Sequence, residues 1–265
     1  MNEDQDRTKG ETMNYLLFIC SDGVATPEKV AVMESEVVGW VEEMDGRGVR
    51  RIGNALAQPS DAVTVRVRDG ETLVSDGPFA ETKEFVGGFD VISCGDLDEA
   101  IEVAAKHPVS WFHSIEVRPL AETPMGPSEP STPGHAPDPV PTGDEIGEPA
   151  EGRQRYMLTM CIDGIAESDE VEAAILRDAE DWVTDVQSRG VQVFGHALKH
   201  AETATTVRVR NGETLLSDGP FVETREFIAG FDIVDCTSRE EAIELAATHP
   251  LARYHMVEVR PFAEG

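Results

Sequence analysis

The residues of this sequence with the most chemistry in them come twice. His113 opens the segment His-Ser-Ile-Glu-Val-Arg-Pro, and His255 opens its counterpart, His-Met-Val-Glu-Val-Arg-Pro. A histidine titrates near neutral pH and can act as general acid or base. Partly buried and bonded to backbone, it can equally serve structure alone, and both readings stand for this pair. Asp22 and Asp163 each lie in an Asp-Gly pair behind an apolar run. They are turn formers or the acid partner of a histidine. A third element, Asp76-Gly-Pro-Phe-Ala-Glu-Thr-Lys-Glu-Phe85, recurs as Asp218-Gly-Pro-Phe-Val-Glu-Thr-Arg-Glu-Phe227. Asp76, Glu81 and Glu84 bring three carboxylates close together, and so do Asp218, Glu223 and Glu226. In a pocket one of them would be desolvated and could serve as a base. On a surface they would be solvated, and Asp-Gly-Pro would be a turn whose Phe79 or Phe221 anchors it in the core.

Other chemistry finds no pattern. There is no CxxC, HExxH or other His/Cys cluster, so no metal site is expected. No P-loop, GxGxxG or GxSxG motif occurs, and no cofactor is expected. His107-Pro108 and His249-Pro250 read as helix ends, where a histidine meets the terminal carbonyls. Arg66/Arg68 and Arg208/Arg210 are either the solvent side of a hairpin or an anion site. The net charge of −29 removes the basic footprint that nucleic acid requires and disfavours an anionic membrane surface. No apolar stretch is long enough to span a bilayer, and Met1 to Glu11 lacks the apolar centre of a secretory signal. Four cysteines are too few for a disulfide scaffold, which points to a reduced, cytoplasmic protein.

The elements that must position these groups repeat as well. Aligning residues 46–121 with 188–263 gives 43 identities in 76 positions. Tyr15 to Cys20 reads as a buried strand. Thr26-Pro27 opens a helix, whose apolar face runs through Val30, Met33, Val37, Trp40 and Met44 and which stops at Gly48. A strand follows, then the alternating Val63 to Arg68, a turn at Asp69-Gly70, and Glu71 to Ser75, which together form a hairpin. Phe85 to Cys94 is a strand, Asp96 and Glu99 cap a second helix, and His113 to Leu120 is the last strand. The second copy repeats this order with Asn211-Gly212 at its hairpin. The predicted organisation is an N-terminal tail at 1–12, a first domain at 13–121, a Pro-rich linker at 122–153, and a second domain at 154–263. The linker holds eight of the sixteen prolines and is expected to be extended and without regular structure.

The fold class is therefore α+β: two ferredoxin-like (βαβ-hairpin-βαβ) units. Helices cover one face of each sheet, so the other faces should meet in a dimeric α/β-barrel-like pseudo-dimer. Separate beads, or pairing between chains as a homo-oligomer, are the alternatives. In a ferredoxin-like sheet the first and fifth strands are parallel neighbours, so Cys20 should lie within roughly 8 Å of Cys94, and Cys161 of Cys236, all four buried.

The DGPF string, the E-T-[KR]-E that follows, the Gly-Phe-Asp strand and the terminal Glu-Val-Arg-Pro occur in the same order in both units. Together they resemble the YCII-related, DGPF-type family over nearly the whole of each. That resemblance implies the dimeric ferredoxin-like fold. It also implies relatives acting on small aromatic or chlorinated molecules, and a proposed His/Asp pair whose histidine near the first helix is not matched here. Two functions remain. One is a small-molecule-binding or regulatory module, with Glu81, Glu84, Phe79, Glu223, Glu226 and Phe221 around the ligand. The alternative is a cofactor-free acid/base enzyme of lyase or isomerase type, using His113, Asp76 and Asp22 with His255, Asp218 and Asp163.

Overall fold

A computed structural model describes residues 12–21, 23, 27–79, 84–121, 140–164, 168–221 and 226–263. The first copy runs β1 (Met13–Ser21), α1 (Pro27–Gly46), β2 (Arg50–Ala55), β3 (Val63–Arg68), β4 (Glu71–Asp76), β5 (Phe85–Cys94), α2 (Leu97–Lys106) and β6 (Ser114–Pro119). After a single turn, α3 (Gly143–Ile146), the second copy runs β7 (Gln154–Ile162), α4 (Asp169–Ser188), β8 (Gln192–Ala197), β9 (Thr205–Arg210), β10 (Glu213–Asp218), β11 (Phe227–Cys236), α5 (Arg239–Thr248) and β12 (Met256–Pro261).

Local signals set these boundaries. Gly48 and Gly190 take positive φ, and the amides of Val49 and Val191 reach back to the carbonyls of Met44 and Val186, closing α1 and α4. Asp96 and Ser238 accept from the amides of Glu99 and Glu241. Asp69-Gly70 and Asn211-Gly212 have positive φ at both turn positions, which a two-residue hairpin of this twist requires.

The sheets hold a feature that the sequence pattern conceals. Their strand orders are β10-β9-β6-β1-β5-β2 and β4-β3-β12-β7-β11-β8. The hairpin of each copy is thus the outer pair of the other copy's sheet. β3 lies against β12 with Val65 opposite Val257, and β9 lies against β6 with Val207 opposite Ile115. Without a hairpin beside them, β6 and β12 would be bare edges carrying unpaired backbone groups. Cores follow the exchange: Val63 and Val65 pack with Trp182 and Leu245 under α4 and α5, and Val207 packs with Trp40 and Val103 under α1 and α2.

The two inner faces meet as expected, in a shared core of Phe18, Phe89, Leu56, Met157, Phe231 and Ile233, with Phe89 and Phe231 6.2 Å apart. Bridges Leu56 to Phe262 and Leu120 to Leu198 join the sheets at their corners, which gives the pair its barrel-like closure.

Two expectations fail. β1 and β5 are neighbours but antiparallel, with Met13 opposite Cys94 and Cys20 opposite Val86. Cys20 and Cys94 are therefore at opposite ends, roughly 24 Å apart at about 3.4 Å per residue. The same holds for Cys161 and Cys236, the latter opposite Gln154. The crossover through α1 returns β2 parallel to β1, and β5 pairs antiparallel with β2, so β5 must oppose β1. All four thiols are buried, as expected. The end of the expected linker is also built into the fold. Val140 is buried, its carbonyl accepts from Arg51, and α3 carries a Thr142/Glu145 capping box. Among the described residues no helix is long and apolar enough to cross a membrane.

Candidate functional site

His255 stands between a one-turn helix, Pro250–Arg253, and the first residue of β12. Asp163 follows β7, whose Cys161 is in register with Met256. This brings the His255 Nδ1 to 3.1 Å from the Asp163 Oδ1. The ring is buried, while the carboxylate is 22% exposed. A carboxylate only accepts, so Nδ1 is the donor in this bond, and in the neutral ring the lone pair then falls on Nε2. That is the tautomer of a general base. His113 is buried at the equivalent position. Asp22 lies outside the described residues.

The other copy holds this loop in place. Arg68 of β3 donates to the carbonyls of Ala252, Arg253, Tyr254 and His255 at 3.0–3.1 Å. Arg210 of β9 does the same for Ser110, Phe112 and His113. These arginines cap the turn before each histidine instead of facing solvent. Arg66, two residues earlier on the same strand, donates to the Met256 sulfur at 3.0 Å. Its equivalent, Arg208, is 3.8 Å from Glu84.

The DGPF loops do different work. Asp76 and Asp218 are exposed, at the last residues of β4 and β10, opposite Val63 and Thr205. Asp76 is four residues along and two strands across from His255, roughly 17 Å at about 3.4 Å per residue and about 4.8 Å per strand. The structure does not join Asp76 to His255, and His113 is on the opposite sheet. Gly77 and Gly219 take φ of +95° and +92°, strained for any side chain, and their carbonyls accept from Thr64 and Thr206. The amide of Phe79 then donates to Glu258, and that of Phe221 to Glu116, each at 3.0 Å and each in the other copy.

Glu116, Arg118, Glu258 and Arg260 are all at most 3% exposed. Each glutamate pairs with the arginine two residues on. Arg118 also donates to the Ile228 carbonyl at 2.7 Å, and Arg260 to that of Val86. The Glu-Val-Arg-Pro strings are thus cross-copy locks. Between them is a cavity of about 50 Å³, lined by Phe79, Phe221, Phe85, Phe227 and Glu84 among others, with room for a few waters. Glu226 is half-buried at the start of β11; Glu81 and Glu223 lie outside the described residues.

Sequence reading also passed over Asp90 and Asp232, both buried. Asp90 bonds Arg50 at 2.6 Å, and burial, opposed by that guanidinium, moves its pKa up to about 6. In the second copy Gln192 replaces the arginine and bonds Asp232, whose pKa burial raises to about 7. Gly53 and Gly195 leave the room these carboxyls fill. His107 and His249 lie at the helix ends as expected, but instead of meeting the terminal carbonyls their Nδ1 atoms accept from the amides of Val109 and Leu251 at 3.2 Å. Burial lowers both to about 3. Among the described residues no three His, Cys, Asp or Glu side chains group as metal ligands.

Two sheets closed into a barrel-like pseudo-dimer, with a histidine-bearing strand end in each half, define a dimeric ferredoxin-like protein carried on one chain. The YCII-related domain matches residues 13–123 and again 156–264, and the chain belongs to that family as a tandem duplication. An uncharacterised protein of Rhizobium meliloti (strain 1021), R00369, is 38% identical over 105 residues, 33% of this chain and 85% of its own length. Among solved structures, a candidate chlorite dismutase, TA0507, aligns over 96% of this chain and 95% of its own, with a TM-score of 0.43 and 8% identity. A haem-binding protein from Thermus thermophilus aligns over 96% and 92%, at 0.41 and 11%. Likeness at that level says nothing of ligand or reaction here.

Proposed function

We propose that the chain binds a small molecule at the strand end marked by His255 and acts on it by proton transfer, in the manner of a lyase or isomerase. The observation that carries this reading is the 3.1 Å bond between His255 Nδ1 and Asp163, with the ring buried and the carboxylate partly exposed. Asp163 fixes the tautomer and would stabilise the imidazolium formed when Nε2 takes a proton. Arg68 holds the loop that carries the ring, so each site is built from both copies. The matching test is exchange of acidic C–H groups in D2O, followed by NMR over a panel of small aliphatic and aromatic keto acids. The wild type should wash out the proton of at least one compound. His255→Gln should abolish that exchange, and Asp163→Asn should slow it by at least tenfold. Exchange that is equal in all three proteins would refute the reading.

A non-catalytic binding module is favoured by a different observation, the apolar cavity between the two DGPF loops. At about 50 Å³ it has room for a few waters and not for a drug-sized ligand, so binding there would require the loops at Phe79 and Phe221 to part. Ligand-induced shifts confined to those loops would support it.

A further inference from the structure

The two strand-end sites are alike in fold but differ in charge, and the difference lies in one arginine of each hairpin. Arg208, which the second copy contributes to the first copy's site, has Glu84 at 3.8 Å. Arg66, which the first copy contributes to the second copy's site, has no carboxylate within ion-pair distance among the described residues. Its one hydrogen bond there goes to the Met256 sulfur. A thioether is a weak acceptor and leaves most of the donors of a guanidinium unused. The chain has 51 acidic residues against 22 basic ones, so a half-buried arginine that meets no carboxylate among the described residues stands out.

The position of Arg66 gives that cation a purpose. Met256 directly follows His255, and Arg68 on the same face of β3 already bonds the His255 carbonyl. Met256 is opposite Cys161, two residues before Asp163. The first copy has Ser114 where the second has Met256, so the surroundings of Arg66 are also the more apolar of the two. We propose that the second copy's site takes a small carboxylate-bearing molecule whose anionic group is held by Arg66, while the first copy's site, its arginine engaged by Glu84, does not. A guanidinium recognises a carboxylate through two parallel hydrogen bonds, which would orient the ligand's apolar body along Met256 toward the His255–Asp163 pair. This rests on the reading of that pair as the reacting group only in naming what the anion would be positioned for.

The test uses the full-length chain with benzoate as the probe and benzamide as its neutral counterpart. Benzoate should bind at one site per chain and shift the His255 ring resonances, whereas benzamide should not. Arg66→Gln should weaken benzoate binding at least tenfold, Arg66→Lys should weaken it less, and Arg208→Gln should leave it unchanged. Glu84→Gln should add a second benzoate site that moves the His113 resonances. Unchanged benzoate affinity in Arg66→Gln, or loss of binding in Arg208→Gln alone, would overturn the proposal. Benzoate binding that follows Arg66 while His255→Gln leaves C–H exchange intact would uphold the anion site and remove the acid/base reading.

Discussion

Replacing Asp232 by asparagine should stabilise the protein at pH 8 far more than at pH 4. The Asp232 carboxyl is 3% exposed and held by a neutral partner, the Gln192 amide. Burial raises its pKa from 3.8 to about 7. A group raised in the fold favours its protonated form there, so its contribution is fully present below the unfolded value of 3.8 and is lost as pH rises through about 7. Three pH units of separation correspond to about 4 kcal/mol of folding stability lost between those limits. Asparagine keeps the shape and an oxygen for Gln192 to bond, and it has no charge to bury. The exchanged hairpins bind the two copies into one cooperative unit, so a single urea transition should report the change. The stability difference between variant and wild type should widen from pH 4 to pH 7.5 and then level off. A difference that is constant across this range would refute the argument. A difference that reverses sign would show that Asp232 is paired with a cation in solution.

Three further outcomes follow from the cross-copy contacts. Glu258→Ala should cost about 3–5 kcal/mol in urea unfolding, because it strands Arg260 in the interior and releases the Phe79 amide; Glu258→Leu with Arg260→Met should recover most of the loss. Arg68→Ala should cost about 2 kcal/mol and shift or broaden the His255 ring resonances, since four carbonyls before and at His255 lose their donor. Proteolytic cleavage between 122 and 139 should leave both halves in one peak on native gel filtration, as the exchanged hairpins demand; separation into two folded fragments would contradict the strand order.

Sequence alone made the elements legible where local chemistry decides them: the glycine at 48, the Asp69-Gly70 turn, the cap at Asp96. It also made the facing of the two sheets legible, because each had an apolar face without helices. The exchange of hairpins was invisible, since β3 has the same alternation whether it lies beside its own β6 or the other copy's β12. The error over Cys20 and Cys94 was one of strand direction, which a list of neighbours does not determine. Met256 to Pro261 alternates like a half-solvated strand, yet Glu258 and Arg260 are buried, face the other sheet and satisfy each other there. Asp76 was singled out by its place in a conspicuous string, but the string's glycine and the phenylalanine amide are what the fold uses. The pairing of His255 with Asp163 was one of the alternatives read from the sequence; only the register of β7 with β12 selects it.

The exchange also bears on how such a chain can change over generations. In an assembly of two identical subunits every substitution appears twice, so neither site can drift without the other. Here Arg50 has Gln192 as its counterpart, and Ser114 has Met256, at equivalent positions of one polypeptide. Because each hairpin serves the opposite half, a single codon in the first copy alters the second copy's site and leaves its own alone. Duplication with exchange therefore frees the two sites to specialise while each half remains obliged to retain the hairpin on which the other depends.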